Sequence, residues 1–358
     1  MSNFTVSKTV NFVEAINDAL HIAMTTDPSM ISYGLGINDP KRIFGTTSGL
    51  CEVFGNNRVF DMPTSENAMT GVSIGAALGG IRSVVTHQRL DFFLLAMDQL
   101  VNSAAKWNYT YGICVPITIR LIIGRGWGQG PTHSQNLQAW FGHIPGLKVV
   151  MPTTPHDAKG LLLGSIFDPN PVVFLEHRWL HNAVGEVPVG DYRLEIGKAK
   201  KITDGKDVTI VSMSYLTVEA RKAVALLSRG NISCELIDLV SIKPIDWELI
   251  KSSVRKTGRL LVLDTGHETG SVAGEIIAKI AIENYHDLKA PPMRMAMPDV
   301  PEPASFGLTK DLFIRYDKIM KEVCKMIGEP NHAIMKDIAF VDETAPHDVP
   351  GDWFKGPF

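Results

Sequence analysis

Short runs of almost uninterrupted apolar residues alternate along this chain with longer segments whose apolar residues recur at helical spacing. Runs of the first kind are typical of strands that are buried on both faces, as in a parallel sheet. Five such runs are predicted strands: residues 115–123, 149–151, 171–175, 207–212 and 259–263. The alternation of strands and helices predicts an α/β fold in which mostly parallel sheets are flanked by helices.

The segments between these strands have the periodicity of amphipathic helices. The predicted helices are residues 66–80, 91–107 and 217–229. The first helix carries Gly71, Gly75 and Gly79, although glycine is a poor helix former. We therefore expect another backbone to approach this helix closely. The third helix should end at Gly230, because glycine commonly follows the last helical turn.

A polar, turn-rich segment at 186–206 divides the chain and predicts a domain boundary. The predicted parts are a first domain at 1–190, a second domain at 205–328 and an extended tail at 329–358. The tail carries Trp353, Phe354 and Phe358, which either pin it to another surface or belong to a mobile segment.

Composition narrows the class of protein. The chain is 45% hydrophobic and 20% charged, with a formal net charge of -3, which is typical of a globular protein and gives no reason to expect nucleic acid or membrane binding. No apolar run approaches the roughly 20 residues that span a bilayer, and the first residues do not form a secretory signal. The four scattered cysteines predict reduced core thiols in a cytoplasmic protein.

Local motifs leave the chemistry open. The glycine-rich stretch 124–130 does not meet the GxGxxG spacing of dinucleotide-binding loops, so a flexible loop after a buried strand is the interpretation. His133 follows this loop, and by itself it is as well explained as a cap of the next helix. Glu66 falls in the first turn of a predicted helix that Ser65 or Thr64 can cap, where an acid simply favours the helix dipole.

Taken together, the segments resemble one family. The chain is similar to the beta subunit of the thiamine-diphosphate-dependent 2-oxo acid dehydrogenase first component, of the pyruvate, acetoin or branched-chain type. The resemblance covers residues 10–327 and is carried by RVFDMPTSE at 58–66, AMDQLVNSAAK at 96–106, NPVVFLE at 170–176 and shorter segments at 133–135, 145–150, 157–161, 237–239, 242–244 and 256–260. It implies a transketolase-like pyrimidine-binding domain followed by a transketolase C-terminal-like domain.

The resemblance also implies roles for individual residues. Glu66 matches the acid that hydrogen-bonds the aminopyrimidine ring of thiamine diphosphate and so activates it. Phe92 matches an aromatic residue that stacks on that ring, and Gln88 falls in the same cofactor-binding stretch. His133 matches a histidine that faces the reacting centre. Glu66 and His133 are the implied catalytic residues.

Metal binding is implied mainly for a second chain. The family holds magnesium and the diphosphate through a GDG motif, which this sequence lacks. The resemblance places that motif on an alpha subunit, so we expect an active site between chains and an α2β2 assembly. Asp168 and Asn170 match a loop that binds potassium in some members, and an ordinary turn is the alternative.

Several positions depart from the family pattern. The segment 34–37 has no acid where relatives often carry one, and His87, Arg89 and His181 add polar or cationic side chains. One interpretation pairs them with acids in a subunit interface, and the other predicts an anionic substrate or an unusual acceptor. Three functions follow. The first is a beta subunit that acts on a 2-oxo acid and supplies a lipoyl acyltransferase. The second is half of a split transketolase-like carboligase that acts on a sugar or another aldehyde. The third is a non-catalytic scaffold.

Overall fold

The computed structural model describes residues 6–126, 128–328, 348–349 and 353–354, and the chain forms two compact units. The boundary between the two units lies between Ile196 and Gly197, and the segment 127–131 also belongs to the second unit. Phe358 and most of the predicted tail lie outside the described residues.

The first unit is built on a parallel sheet. Its strands and the flanking helices are, in chain order, β1 (Ser7–Asn11), α1 (Phe12–Thr26), β2 (Ile31–Gly34), α2 (Leu50–Phe54), β3 (Val59–Asp61), α3 (Glu66–Leu78), β4 (Ser83–His87), α4 (Leu90–Phe93), α5 (Ala105–Tyr111), β5 (Ile117–Ile123), α6 (Gln138–His143), β6 (Lys148–Val150), α7 (Pro155–Ile166), β7 (Val172–His177) and β8 (Val184–Pro188). The strand order is β6–β7–β5–β4–β2–β3, and each neighbouring pair is parallel. A separate antiparallel pair joins β1 to β8.

The second unit contains another mostly parallel sheet. Its elements are β9 (Lys200–Thr203), β10 (Val208–Ser212), α8 (Tyr215–Arg229), β11 (Cys234–Asp238), β12 (Ser241–Lys243), α9 (Trp247–Thr257), β13 (Leu260–His267), α10 (Val272–Glu283), β14 (Met293–Met297) and α11 (Tyr316–Ile327). The sheet order is β14–β13–β10–β11–β9, in which only β9 runs antiparallel to its neighbour. The predicted α/β class with mostly parallel sheets is confirmed in both units.

Helix starts follow from local capping. The Asn11 side chain accepts a hydrogen bond from the backbone N–H of Glu14, and the Glu14 carboxylate accepts one from the backbone N–H of Asn11. This reciprocal capping box begins α1. Thr154 and Asp157 form the same box at the start of α7, where Pro155 occupies the first helical position. The two central strands, β5 and β7, are buried along their whole length, as the uninterrupted apolar runs predict.

The predicted helix at 91–107 differs from the observed structure. The segment begins as the short helix α4, continues through 3₁₀ geometry at Leu94–Ala96 and π geometry at Gln99–Ala104, and ends as α5. It extends to Tyr111 and stops where Gly112 adopts a left-handed conformation with φ 68°. Apolar periodicity cannot distinguish these helix types, because i+3, i+4 and i+5 spacing all keep one face of the segment apolar.

The glycines of α3 do not meet a backbone of another element. A Cβ on Gly75 would meet nothing within 4 Å, and one on Gly71 would meet only the Gln99 side chain, at 3.6 Å. The expected close backbone approach is therefore wrong within the described residues.

The cysteines only partly match their prediction. All four are free thiols, but Cys114 is exposed, so only Cys234 and Cys324 are buried core thiols. None of the helices in the described residues combines the length and apolar character that crossing a bilayer requires.

Candidate active site

The carboxyl ends of the parallel strands in the first unit lie along one edge of its sheet, and the candidate residues follow these ends. Glu66 follows β3, Gln88 and Phe92 follow β4, and His133 follows β5. In parallel α/β sheets, ligands bind at this edge, because the strands there lead into loops and helix N-termini. The topology therefore brings the predicted residues to a suitable edge.

Glu66 is the first residue of α3 and is only 5% exposed. Ser65 is the N-cap residue, but its side chain makes no capping hydrogen bond, so the expected cap is wrong. Among the described residues, no donor contacts the Glu66 carboxylate. This carboxylate is thus buried with hydrogen-bonding capacity that the described part of the chain does not use.

Helix α3 is fixed against the sheet by two hydrogen bonds. The Tyr33 hydroxyl of β2 donates to the Met69 carbonyl at 2.7 Å, and burial raises the pKa of Tyr33. The hydroxyls of Ser73 and Ser83 lie 2.6 Å apart and join the helix to β4. The first turn, which carries Glu66, is consequently held at a fixed position along the sheet edge.

Phe92 and His133 are in direct contact. Their rings meet edge to face, with centroids 5.2 Å apart and an angle of 89° between the planes. The loop that carries His133 is tied to α4, because the Gln135 side chain donates to the Asp91 carboxylate at 2.8 Å. His133 is not a helix cap, since α6 begins five residues later with Leu137 as its N-cap. Its Nδ1 instead lies 3.0 Å from the Thr132 hydroxyl.

Gln88 lies against the loop that follows β2. A Cβ on Gly36 would lie 2.1 Å from the Gln88 amide nitrogen, so a larger residue there would displace the Gln88 side chain, and the φ of 78° at this position favours glycine. The Gln88 amide donates weakly to Asp39 at 3.4 Å. The Asp61 carboxylate accepts from the backbone of Ile37 at 2.7 Å and fixes the same loop.

A cluster of side chains, of which the sequence singled out only Arg89, contacts the loop after β5. Arg89 donates to the Gly124 carbonyl at 2.8 Å, and Trp179 donates to the Gly126 carbonyl at 3.2 Å. The His177 ring packs so closely that a Cβ on Gly124 would lie 2.3 Å from its Nε2. Burial, more than the nearby charges, lowers the pKa of His177 to about 3, so this ring is neutral at pH 7. These contacts position the start of the loop that leads to His133.

Arg120 of β5 and Glu176 of β7 form a second buried cluster beneath this edge. The guanidinium donates to both carboxylate oxygens, at 2.7 and 3.0 Å, and both side chains are fully buried. His181 lies 3.6 Å from the same carboxylate. Burial raises the pKa of Glu176, but the Arg120 charge and the His181 contact outweigh it and hold that pKa below its ordinary value. His181 therefore lies beside an acid, as one interpretation expected, but this acid belongs to its own chain, and burial lowers the pKa of His181 to about 4, so its ring is neutral at pH 7 rather than part of an ion pair.

Arg89 and His87 are also buried in this chain, at 4% and 1% exposure. Burial lowers the pKa of His87 to about 4, and neither of its ring nitrogens has a hydrogen-bond partner among the described residues. Charged and polar residues inside apolar runs were the sequence signal for this whole cluster, since they are buried only when paired or neutral.

The predicted potassium residues lie in a turn after α7. The Asp168 carboxylate accepts from the Asn170 backbone at 2.9 Å and pairs with Lys148 at 2.5 Å. Arg82 donates to the Asp168 carbonyl at 3.0 Å. Within the described residues, no group of three or more metal-ligating side chains is present. Potassium binding therefore stays a prediction.

Comparison with known proteins places this architecture in a family. The transketolase pyrimidine-binding domain family matches residues 8–182, and the transketolase C-terminal domain family matches residues 197–319. The chain is 42% identical over 303 residues to the mitochondrial 2-oxoisovalerate dehydrogenase subunit beta 2 of Arabidopsis thaliana, covering 84% of each chain. The chain belongs to the beta-subunit family of 2-oxo acid dehydrogenase E1 components.

Other members of the family are similarly related to this beta subunit. It is 39% identical to the beta subunit of the acetoin:2,6-dichlorophenolindophenol oxidoreductase of Cupriavidus necator, covering 84% of this chain and 92% of the relative. Among solved structures, a split-gene transketolase described as an inactive beta4 tetramer matches with a TM-score of 0.72 at 21% identity, over 89% of this chain and 98% of that chain. That likeness supports the fold alone.

Proposed function

We propose that this beta subunit supplies the carboxylate that activates thiamine diphosphate in a 2-oxo acid dehydrogenase, and that Glu66 is this residue. The beta-subunit relatives support dependence on thiamine diphosphate. The observation that carries the assignment is the burial of Glu66 at the first turn of α3 without a hydrogen-bond donor among the described residues. A buried carboxyl without a partner is costly, so a ligand group that completes its hydrogen bonding is expected.

The neighbouring residues fit an aromatic cofactor. The Phe92 ring is 38% exposed although it is large and apolar, which leaves one face able to stack on a heteroaromatic ring. His133 contacts the edge of Phe92, so an imidazole lies beside that stacking position. Gln88 supplies a further amide at the same edge and belongs to the proposed cofactor-binding set.

Each residue has a distinct proposed task. Glu66 holds a proton in a hydrogen bond to a ring nitrogen of the cofactor, Phe92 fixes the plane of that ring, and His133 exchanges a proton with the substrate or its product. When bound, thiamine diphosphate supplies an electron sink for decarboxylation of a 2-oxo acid. The loop brace formed by Arg89, His177 and Trp179 holds the His133 segment and excludes water beneath it.

A second chain completes the proposed site. The sequence has no GDG motif, and the described residues contain no cluster of metal-ligating side chains. We assign the magnesium ion and the diphosphate to an alpha subunit, in an α2β2 assembly. The relatives' names, in which each chain is a beta subunit, support such a partner.

Finer features remain part of the proposal. The proposal includes a 2-oxo acid as substrate, a lipoyl acyltransferase as acceptor, and potassium bound at Asp168 and Asn170. It also includes a cytoplasmic location and a division into domains at 1–190 and 205–328 with a tail at 329–358. The plant relatives are named as mitochondrial proteins, which concerns those proteins only.

The test is a Glu66→Gln exchange in the complex co-expressed with its alpha subunit. The amide keeps the shape of the side chain but cannot hold the proton, so kcat should fall by about 10²-fold or more, while mass spectrometry still detects retained cofactor. Glu275→Gln is the matched control, because Glu275 also lies in the first turn of a helix, α10, but is exposed. Equal activity of the two variants would show that Glu66 only interacts favourably with the helix dipole and does not activate the cofactor.

A further inference from the structure

Arg178 is a buried cation for which no described residue provides a counter-ion. It follows β7 directly and is 5% exposed. Among the described residues, no carboxylate, carbonyl or hydroxyl accepts a hydrogen bond from its guanidinium. Its Nε is sealed from solvent without a partner, whereas the two terminal nitrogens are not sealed in this way. The side chain therefore presents its two terminal amino groups towards the surface.

Two aromatic rings lie near this charge. The guanidinium lies 4.4 Å from the centroid of the Phe44 ring and 5.8 Å from that of Phe354. Burial lowers the pKa of Arg178 to about 10, which leaves the group charged at pH 7. The nearest acid of the cluster, Glu176, is already bound by Arg120. Cation–π contacts orient a guanidinium, but they do not satisfy its N–H donors.

The position of Arg178 connects it to the proposed active site. Strand β7 is the direct neighbour of β5, so Arg178 and the loop that leads to His133 leave the same edge of the sheet. The next residue, Trp179, donates to the Gly126 carbonyl of that loop. Trp353 of the tail donates in turn to the Trp179 carbonyl at 2.9 Å and holds Phe354 beside the guanidinium.

We propose that Arg178 is an anion-binding subsite that receives a phosphate or carboxylate group of a small molecule at the carboxyl edge of the sheet. A planar guanidinium with two free terminal nitrogens matches the two oxygens of either group. The aromatic neighbours exclude water and strengthen that contact. The assignment of this anionic group to the substrate or acceptor rests on the proposed function, whereas the binding of an anion at Arg178 does not depend on that function.

The first experiment measures binding of inorganic phosphate by the full chain without thiamine diphosphate. Saturating phosphate should raise the Tm of the wild-type chain by about 2 °C or more. Arg178→Met should abolish this rise, and Arg178→Lys, which keeps the charge but loses the planar fork, should diminish it. The control is Arg193→Met, because the Arg193 guanidinium also lies over an aromatic ring, Phe167 at 3.6 Å, but pairs with Asp191 at 2.8 Å.

Stability without phosphate separates binding from a structural role. Removal of a buried unpaired charge should leave the Tm of Arg178→Met equal to or above that of the wild type. A Tm well below that of the wild type, or a phosphate response that persists in Arg178→Met, would overturn the proposal. Absence of any response in the wild-type chain would do the same.

The second experiment distinguishes a small molecule from a carboxylate of the partner subunit. In the assembled complex, phosphate should still bind and should raise KM without changing kcat, and Arg178→Met should raise KM at least tenfold. Phosphate binding that disappears on assembly would assign the site to the partner subunit and contradict the proposal. Glu66→Gln should leave phosphate binding intact, so failure of the proposed function and failure of this subsite give different results.

Discussion

Arg120 and Glu176 form a bidentate ion pair between neighbouring strands, and both side chains are fully buried. The pair lies under the carboxyl edge of the sheet, where Thr86 also contacts Arg120 at 3.4 Å. Such a pair is not by itself a large source of stability, because burial of two charges costs about as much as their attraction returns. The pair is important because removal of either member alone leaves the other charge buried and unpaired, which destabilises the fold.

We predict that Glu176→Gln lowers the free energy of unfolding by about 3–5 kcal/mol, because it leaves the Arg120 charge buried and unpaired. Denaturant titration at pH 7.5 measures this change. The double exchange Arg120→Met with Glu176→Leu should recover most of the lost stability, since neither charge of this pair remains. Glu248→Gln, at an exposed pair with Lys251, is the control and should leave the midpoint unchanged. Equal losses in the single and double variants would contradict the argument.

His87 predicts a specific pH dependence of stability. Burial lowers its pKa to about 4, from 6.5. Between these pH values the unfolded chain binds a proton and the folded chain does not, so stability rises with pH there and is complete above 6.5. The loss on acidification is about 1.4 kcal/mol per pH unit, or about 3 kcal/mol across the window.

The His87→Leu variant removes this titration. Unfolding of the variant should resemble that of the wild type at pH 7.5, and the variant should be the more stable protein at pH 5. His286→Leu, at an exposed position, is the control and should keep the wild-type slope. Parallel stability curves for His87→Leu and the wild type would show that the buried ring is not the source of the pH dependence.

Gly124 should not tolerate a side chain. Its φ of 70° is costly for alanine, by about 1–2 kcal/mol, and the added Cβ would lie 2.3 Å from the His177 ring. We expect Gly124→Ala to lower the Tm and to reduce kcat, since the loop after β5 leads to His133. Combination with His177→Ala should relieve the clash but not the backbone strain. A single variant with wild-type Tm and kcat would contradict the assigned packing.

Phe92 should contribute to retention of thiamine diphosphate. Loss of a stacking contact of about 0.5–1.5 kcal/mol predicts that Phe92→Ala weakens cofactor binding by up to about tenfold. Calorimetric titration of the assembled complex measures this affinity. Phe306→Ala is the control, because Phe306 is a similarly exposed phenylalanine, at 53%, in the second unit. Equal affinity in both variants would remove Phe92 from the cofactor site.

The predicted strands and helices agree with the structure wherever the sequence pattern is compatible with only one type of secondary structure. Runs of buried apolar residues became β5, β7, β10 and β13 with boundaries displaced by a few residues. The segment 91–107 was less predictable, because an apolar stripe is compatible with α, 3₁₀ and π geometry. The choice among them depends on packing against residues far away in the chain.

Family membership was accessible from motifs and resemblance alone, and so was the prediction that Glu66, Phe92 and His133 are site residues, because these features are local in the sequence. The same sequence could not say that Phe92 touches His133, that Glu66 lacks a donor, or that His181 faces Glu176 rather than an interface. Those facts depend on how separate strands are ordered in the sheet, which places side chains from distant segments within contact of one another. Local propensity carries no information about that order, so only the tertiary structure decided which charges are paired and that no described residue is a counter-ion of Arg178.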